Sequence, residues 1–305
     1  MNAAIIQARL SSSRLPGKIF LEACGMSMLE HMITRVKHSK KIDEVVIATS
    51  NNSADDLIEE WCKKYGIKCF RGPEQDVLKR YKLASDFINA DTIIRLGADS
   101  PLMDPKIIDD ILEIYELNNY DYVTNLFPVD GRTYPDGINV EVFSSDILDE
   151  LDKNAKKPSD REHVTFYLWM QPERFKLFRY DYPINLSKFR FNLDYIQDYC
   201  LIRSVFEALY PQNNLFTLED TIDWLKQNPS PYSSTQILLE KLKSWGPAVY
   251  FGFNSHLFDW IFLSKTFFKY LKAPYFLNTK GNKLGDVLPV IRAAKMVDET
   301  VIKTI

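Results

Sequence analysis

The sequence has few cysteines, no excess of charge of one sign and no long apolar run. Its four cysteines among 305 residues include no C-x-x-C pair, so neither a disulfide framework nor a zinc site is expected. The net charge of −3 is spread along the chain, which argues against nucleic acid as a partner. No uncharged apolar stretch approaches the roughly 18 residues that span a bilayer, so no membrane insertion is expected.

The amino terminus also lacks the features of a secretory signal. The segment MNAAIIQ has neither a basic n-region nor a long apolar core. Together with the unpaired cysteines, this predicts a cytoplasmic protein with reduced thiols. The composition, 46% hydrophobic and 26% charged residues, is that of a folded globular chain and excludes extensive disorder.

Strand and helix patterns alternate along the first two-thirds of the chain. Short apolar, β-branched runs predict strands, and amphipathic segments between them predict helices. This alternation predicts a mostly parallel sheet flanked by helices, in which ligands bind at the carboxyl ends of the strands. The predicted strands are 3–7, 44–48, 67–70, 92–96 and 122–125, and the predicted helices are 28–37, 54–65, 77–87 and 105–117, with Pro105 in a first helical turn.

The later part of the chain has a looser pattern and a clear linker. A Pro- and Gly-containing loop at 127–137 is predicted to form a rim or lid. Residues 229–236 contain the linker, so the predicted domains are 1–228, the linker, and an appendage at 237–305. The role of the appendage is unassigned, and packing or a homodimer contact is favoured over a second active site. The remaining predicted strands are 139–143, 175–180 and 191–193, and the remaining predicted helices are 144–152, 161–170, 196–209 and 218–227.

A cationic loop, ARLSSSRLPGK at 8–18, follows the first predicted strand. Arg9, Arg14 and Lys18 supply three positive charges, and Gly17 permits a tight turn with exposed peptide N–H groups. Such a loop suits a triphosphate. Neither G-x-G-x-x-G nor a Walker loop is present. On composition alone, a solvated surface loop explains the segment equally well.

Two aspartates follow predicted strands and are candidate metal ligands. Asp99 leaves the fourth strand in the segment RLGADSP, and Asp194 ends the apolar run RFNLD before a predicted helix. Carboxylate oxygens at strand ends can bind Mg²⁺. Taken singly, each aspartate fits a turn or a helix cap better than a metal site.

The segments together resemble a known family. The pattern A-R-x-x-S-x-R-L-P-G-K is similar to the amino-terminal signature of the cytidylyltransferases that activate acidic sugars, the superfamily of CMP-Kdo synthetase and acylneuraminate cytidylyltransferase (Kdo is 3-deoxy-manno-octulosonate). The likeness is greater to the group named for spore-coat polysaccharide biosynthesis, and it covers about residues 1–228. Further similar stretches are RGPEQDVLKRY at 71–81, RLGADSP at 95–101, YPDG at 134–137, VEVF at 140–143, REHVT at 161–165 and NLDYIQD at 192–198.

The resemblance implies a role for each matching residue. Lys18, Arg14 and Asp99 would be catalytic, and Asp99 and Asp194 would hold Mg²⁺. The CMP-Kdo branch differs at 96–101 and has Thr-Pro after the second aspartate, differences that keep both carboxylates and leave the acceptor sugar open. The implied nucleotide-binding residues are Ala8, Arg9, Ser12, Arg14, Gly17, Lys18, Asp76, Val77 and Arg80, and the implied substrate-binding residues are Asp136, Gly137, Glu162 and His163. A turn explains Asp136 and Gly137 equally well, and a surface position explains His163.

The resemblance predicts a three-layer, Rossmann-like α/β nucleotidyltransferase domain related to the glycosyltransferase A architecture. The expected reaction is Mg²⁺-dependent transfer of CMP from CTP to a sugar acid or related small anionic acceptor, with release of pyrophosphate. A phosphorylated small molecule fits equally well as the acceptor and would give a CDP product. The expected context is synthesis of cell-surface polysaccharide or glycoconjugate. One alternative is a nucleotide-sugar-dependent glycosyltransferase, although the usual D-x-D pair is absent. Another is a non-catalytic nucleotide-binding or assembly subunit.

Overall fold

The computed structural model describes residues 1–12 and 14–228, so the predicted linker and appendage lie outside the described residues. The described chain forms two compact units. The first comprises Met1–Arg9 and Met28–Leu193, and the second comprises the described residues of 10–27 and 194–228. The strands are β1 Asn2–Gln7, β2 Glu22–Ala23, β3 Met26–Ser27, β4 Glu44–Ser50, β5 Lys68–Gly72, β6 Thr92–Gly97, β7 Tyr122–Thr124, β8 Glu141–Ser144 and β9 Leu177–Arg179.

The helices alternate with these strands as the sequence predicts. They are α1 Met28–Val36, α2 Asp56–Tyr65, α3 Val77–Ile88, α4 Pro105–Leu117, α5 Ser145–Asn154, α6 Pro158–His163, α7 Phe166–Trp169, α8 Ile196–Leu209 and α9 Leu218–Gln227. Local signals fix several helix ends. The Asp104 side chain accepts a hydrogen bond from the N–H of Lys106 and so caps α4, which begins at Pro105 as predicted. Helix α2 ends at Gly66, whose φ of +65° lies in the left-handed region that terminates many helices.

The first unit contains a seven-stranded sheet in the order β5-β4-β1-β6-β8-β7-β9. Only β8 runs antiparallel to its neighbours, so the mostly parallel α/β fold is confirmed. Strand β1 lies between β4 and β6, and the side chains of residues 3–6 are fully buried. A strand covered on both faces needs a continuous apolar run, and the segment AAII supplies it.

The structure differs from two of the sequence predictions in the first unit. A single helix was expected at 161–170, but the chain forms α6 and α7 with a break at Val164, whose φ is +58°. Residues 191–193 form no strand; instead the N–H groups of Phe191 and Leu193 donate to two different segments, at Asp136 and Asp99. In both places, contacts from distant parts of the chain override the local pattern.

The second unit combines a short hairpin with α8 and α9. Strands β2 and β3 pair antiparallel, and the turn between them places Cys24 and Gly25 at φ +50° and +79°. Two consecutive positive φ values are those of a two-residue hairpin turn that matches the strand twist. The Tyr199 hydroxyl on α8 donates to the carbonyl oxygen of Glu22 (2.8 Å), which fixes the helix to the hairpin. No helix in the described ranges is long and apolar enough to cross a membrane.

Candidate active site

The loop that follows β1 begins in the first unit with Ala8 and Arg9. The N–H of Ala8 donates to the carbonyl oxygen of Ala48 (3.3 Å) and extends the pairing of β1 with β4 by one residue. Arg9 follows with an exposed side chain. The backbone at Ala8 is therefore fixed, and the guanidinium of Arg9 is accessible at the carboxyl end of β1.

The rest of the predicted phosphate loop belongs to the second unit. Gly17 has a φ of +67° and lies just before a 3-10 turn at Lys18–Phe20, and its N–H donates to the carbonyl oxygen of Leu10 (3.3 Å). The Ser12 hydroxyl accepts from the N–H of Leu15 (3.3 Å). The loop closes on itself, and the left-handed φ explains why glycine precedes the lysine.

Arg14, Lys18 and Asp194 form one ionic group in the second unit, called here the Asp194 cluster. The ammonium of Lys18 donates to Oδ1 of Asp194 at 2.9 Å, and Nη2 of Arg14 lies 2.7 Å from the same oxygen. Lys18 and Asp194 are buried, whereas Arg14 is exposed and lies over the ring of Tyr195, 5.3 Å from its centroid. The structure therefore brings together three of the predicted site residues, from opposite ends of the described chain.

The charges in the cluster stabilise one another. Burial by itself would raise the pKa of Asp194, but the hydrogen bonds and charges of Lys18 and Arg14 outweigh it and lower that pKa below its ordinary value. Burial would likewise lower the pKa of Arg14, but Asp194 reverses the effect and raises it. The carboxylate stays ionised between two cations, and the cluster carries a net positive charge that favours an anion.

The Asp194 cluster predicts an acid-sensitive contribution to stability. Because folding lowers the pKa of Asp194 from 3.8, its ionised form stabilises the fold above that pH, and the contribution is lost as the pH falls through the folded-state value. We expect the wild type to exceed Asp194→Asn in free energy of unfolding at neutral pH, and the difference to shrink below pH 3.8. Denaturant titrations from about pH 7 to about pH 2.5 measure this difference. A difference independent of pH would contradict the assignment.

The backbone of Asp194 is fixed by the start of α8. Oδ2 of Asp198 accepts hydrogen bonds from the N–H groups of Asp194 (2.9 Å) and Tyr195 (2.8 Å). A carboxylate at this position satisfies peptide groups that the first helical turn leaves unpaired. The cap therefore holds the backbone next to the cluster.

In the first unit, Asp99 lies in a tight turn at the carboxyl end of β6. The N–H of Ala98 donates to the carbonyl oxygen of Gln7 (2.9 Å), which continues the pairing of β6 with β1. A Cβ at Gly97 would come within 2.6 Å of Oδ1 of Asp99, so the glycine makes room for this half-buried carboxylate. The carbonyl oxygen of Asp99 accepts from the N–H of Leu193 (2.8 Å), the residue that precedes Asp194 in the chain.

Arg80 is a fully buried cation on α3. Its Nη1 donates to the carbonyl oxygens of Pro73 (2.7 Å) and Glu74 (3.3 Å). Its Nε and Nη2 atoms have no hydrogen-bond partner in the described part of the chain. Burial lowers the pKa of this guanidinium below its ordinary value, and the charge of Arg9 adds to that effect. An unsatisfied pair of buried donors is costly, so an acceptor, either a water molecule or a ligand atom, is expected beside them.

The other two residues expected beside the nucleotide have structural roles in α3. The Asp76 carboxylate caps the helix by accepting from the N–H of Lys79 (2.9 Å), and it also receives Nε and Nη2 of Arg161 at 2.9 and 2.8 Å. Val77 is buried in the hydrophobic core. Both residues therefore help to fix the position of α3, the helix that carries Arg80. Direct nucleotide contact by Asp76 or Val77 stays a prediction.

Asp136 and Gly137 contact the chain at 189–192. The N–H of Asp136 donates to the carbonyl oxygen of Phe189 (3.2 Å), and the N–H of Phe191 donates to that of Asp136 (2.6 Å). Gly137 has a φ of +93°, and a Cβ there would lie 2.4 Å from the peptide nitrogen of Asn192. This close approach explains the glycine, so its requirement is structural; acceptor binding by either residue stays a prediction.

Glu162 and His163 are exposed at the end of α6. Neither side chain makes a hydrogen bond or an ion pair in the described ranges, and the His163 ring has an edge contact with Phe166. Both side chains are therefore accessible to a ligand.

Three arginines near the predicted acceptor-binding residues are not among the candidates that the sequence indicates. Arg161 immediately precedes Glu162 and pairs with Asp76. Arg132 and Arg190 approach the Asp136 carboxylate at 3.6 and 3.4 Å. Arg161 and Arg190 lie inside the quoted segments REHVT and RFNLD, so their position was a usable signal. What each one pairs with depends on tertiary contacts that spacing does not reveal.

Asp99 and Asp194, each taken by itself, have the chemistry of a magnesium ligand. Mg²⁺ binds oxygen ligands, commonly one or two carboxylates plus substrate phosphates and waters. Asp99 and Asp194 provide suitable oxygens, one in each unit. No group of three or more His, Cys, Asp and Glu side chains in the described residues could hold a metal on its own. The convergence of Asp99 and Asp194 on one Mg²⁺ stays a prediction.

Comparison with known proteins identifies relatives that match most of the chain. An uncharacterized protein of Methanocaldococcus jannaschii is 37% identical over 229 residues, which cover 74% of this chain and 90% of the relative. The spore coat polysaccharide biosynthesis protein SpsF of Bacillus subtilis is 30% identical over 234 residues, 74% of this chain and 94% of that protein. A solved cytidylyltransferase structure from Leptospira borgpetersenii superposes with a TM-score of 0.71 at 36% identity and covers 75% of this chain and 95% of its own.

The family model for cytidylyltransferases matches residues 3–238, which is more than two-thirds of the chain. This match confirms the resemblance drawn from the cationic loop and the later segments, and it does not favour the glycosyltransferase alternative. The chain therefore belongs to the cytidylyltransferase family and is a nucleotidyltransferase enzyme.

Proposed function

We propose that this enzyme transfers CMP from CTP to a sugar acid or a related small anionic acceptor, with Mg²⁺, and releases pyrophosphate. The Asp194 cluster is the observation that carries the proposal. Lys18 is buried and held 2.9 Å from Asp194, so its charge is positioned before any ligand binds. Preorganised charge is the main requirement for phosphoryl and nucleotidyl transfer, since little covalent work falls to the protein.

In the proposed reaction, an acceptor hydroxyl oxygen attacks the α-phosphorus of CTP. A new P–O bond forms to the acceptor, the bond from the α-phosphorus to the α,β-bridging oxygen breaks so that this oxygen leaves with pyrophosphate, and the hydroxyl proton passes to solvent water. Lys18 and Arg14 stabilise the charge that develops on pyrophosphate, and Arg9 binds the phosphates at the end of β1. Asp99 and Asp194 would hold Mg²⁺, which would supply electrostatic stabilisation of the phosphate oxygens.

The unsatisfied donors of Arg80 support cytosine as the base. Nε–H and Nη2–H form two parallel donors on one edge of a guanidinium. Cytosine presents adjacent acceptors at O2 and N3, whereas uracil carries a hydrogen on N3 that would oppose one of these donors. Arg80 therefore binds cytosine through two hydrogen bonds in this proposal.

The biological context is proposed from the relatives. The name of the Bacillus subtilis relative refers to spore coat polysaccharide biosynthesis, and 74% of this chain aligns with that protein. Activation of a sugar acid as its CMP derivative is a step that precedes its transfer to a polysaccharide. We assign this enzyme to synthesis of cell-surface polysaccharide or glycoconjugate.

A nucleotide panel tests the base and the role of Arg80 in one experiment. CTP, UTP, ATP and GTP are each added with Mg²⁺, and the unfolding temperature is measured, because a ligand of the folded state raises it. We expect CTP to give the largest shift, and Arg80→Lys to weaken CTP binding about tenfold and reduce the preference over UTP. Arg174→Lys, a change at an exposed arginine, is the control. Equal shifts for CTP and UTP with the wild type would refute the cytosine assignment.

Pyrophosphate release tests the reaction itself. The wild-type enzyme is incubated with CTP, Mg²⁺ and each of several acceptors: 3-deoxy-manno-octulosonate, N-acetylneuraminate, glycerol 3-phosphate and glucose 1-phosphate. Release with a sugar acid supports the proposal, and release only with a phosphorylated acceptor would give a CDP product and refute the sugar-acid assignment.

A further inference from the structure

The break between α6 and α7 is a strained turn centred on Val164. Its backbone has φ +58° and ψ −66°, and the N–H of Thr165 donates to the carbonyl oxygen of His163 at 2.6 Å. This is a γ-turn of the rare, strained hand, and a β-branched residue at positive φ is a genuine outlier. A continuous helix, which the sequence pattern predicts here, would remove the strain.

The buried carboxylate of Glu141 opposes replacement of the turn by a continuous helix. Glu141 on β8 is only 2% exposed, and its Oε2 accepts from the hydroxyl of Thr165 at 2.6 Å and from the hydroxyl of Tyr122 at 2.7 Å. Arg95 pairs with the other carboxylate oxygen. Trp169, at the end of α7, donates from Nε1 to the Tyr122 hydroxyl (2.9 Å). Both ends of α7 are therefore tied to Glu141, one of them directly and the other through Tyr122.

The other side of the turn is fixed as well. Arg161 on α6 forms a bidentate ion pair with Asp76, and its Nη2 lies 2.7 Å from Oδ1 of Asp152. Val164 itself is fully buried in the hydrophobic core. The backbone before, at and after the turn is thus held by separate parts of the first unit.

This anchored turn carries Glu162 and His163, whose side chains are exposed and make no hydrogen bond or ion pair with any described residue. A fold that maintains strain while leaving two polar side chains uncommitted is typical of a ligand-contacting segment. We infer that Glu141 and Thr165 are positioning residues: they hold the strained turn so that His163 and Glu162 meet the acceptor in a fixed geometry. The inference rests on the proposed function, because it concerns the acceptor of that reaction.

The central variant is Thr165→Val, which keeps the shape of the side chain and removes the hydroxyl. Glu141 retains Tyr122 and Arg95, so we expect the fold to persist. The turn is expected to relax, and the KM for 3-deoxy-manno-octulosonate, or for N-acetylneuraminate if that supports faster wild-type turnover, should rise about tenfold. The KM for CTP should change less than about twofold, and Thr165→Ser should restore the wild-type values.

Thr221→Val is the matched control. Its buried hydroxyl donates to the carbonyl oxygen of Thr217 at 3.0 Å in α9, so the change also removes one buried hydrogen bond. It should leave both KM values unchanged, and the unfolding temperatures of the two variants are compared to measure the loss of stability in each. A general loss of stability therefore cannot account for an acceptor-specific effect in Thr165→Val.

A double variant tests whether Thr165 acts through His163. If it does, His163→Ala should raise the acceptor KM, and adding Thr165→Val should cause little further change. Unchanged acceptor KM in Thr165→Val, or fully additive effects in the double variant, would overturn the inference and leave the proposed function standing. Absence of pyrophosphate release by the wild type with either sugar acid would overturn the proposed function, and the inference with it.

Discussion

Replacing Lys18 with alanine should lower the rate of pyrophosphate release about 10²–10³-fold, the usual loss when one preorganised charge-stabilising group is removed. The reason lies in the position of the ammonium group. Lys18 is buried, follows the left-handed turn at Gly17, and is held 2.9 Å from Asp194. Its charge is therefore in place before the leaving group becomes more negative, and no side-chain reorganisation is needed during the reaction.

The loss of Lys18 also changes Asp194, so the rate has to be separated from stability. Without the ammonium, only Arg14 of the two cations in the cluster remains to offset the burial of this carboxylate. Lys18→Met keeps the aliphatic stem and removes the charge, and we expect it to lose activity as Lys18→Ala does while unfolding closer to the wild type. Circular dichroism and the unfolding temperature monitor the fold of both variants.

A matched control for this experiment lies in the same unit. Lys226 on α9 is exposed and pairs with Asp223 at 2.9 Å on the surface. Lys226→Ala removes the same charge from the protein and should leave turnover unchanged, because exposed pairs contribute little. Near-normal pyrophosphate release by folded Lys18→Ala would refute the catalytic assignment.

The sequence predicts the parallel part of the fold well because its signals are local. A run of four buried apolar residues forms β1, an interior strand of the sheet. In the second unit, α8 and α9 also begin and end at the residues that the sequence pattern indicates. The β2–β3 hairpin escapes prediction because two-residue strands have no periodicity to detect. The break at Val164 escapes it too, since the buried carboxylate of Glu141 and the pairing of Arg161 decide the backbone there.

The candidate site was predictable only in part. The cationic loop could be recognised from its own residues, but its pairing with Asp194 joins distant parts of the sequence, and only the resemblance indicated a shared role. Asp76 illustrates the opposite case. The resemblance implies a place near the nucleotide, whereas its carboxylate caps α3 and binds Arg161. A motif residue can therefore fix the element that carries a predicted ligand contact, as Asp76 does for the helix of Arg80.

Gly137→Ala should destabilise the protein more than Gly131→Ala, although both glycines have φ in the left-handed region, at +93° and +74°. That φ alone costs about 1–2 kcal/mol for a residue with a Cβ. At Gly131 the nearest atom to an added Cβ is Nη2 of Arg179 at 3.7 Å, an ordinary contact with a movable side chain. We therefore expect Gly131→Ala to lower the free energy of unfolding only by the cost of the backbone conformation.

At Gly137 the added Cβ would lie 2.4 Å from the peptide nitrogen of Asn192 and 2.4 Å from the carbonyl carbon of Phe191. Backbone atoms cannot rotate away, so overpacking should add about 1–3 kcal/mol to the cost of φ. Urea titrations of both variants measure the free energy of unfolding. The added Cβ would displace the chain at 191–192, which continues into Leu193, and the N–H of Leu193 donates to the carbonyl oxygen of Asp99. We therefore expect turnover of the folded fraction to fall as well in Gly137→Ala. Equal destabilisation by the two substitutions would show that the chain at 191–192 moves aside at no energetic cost. The close approach would then not account for glycine at position 137.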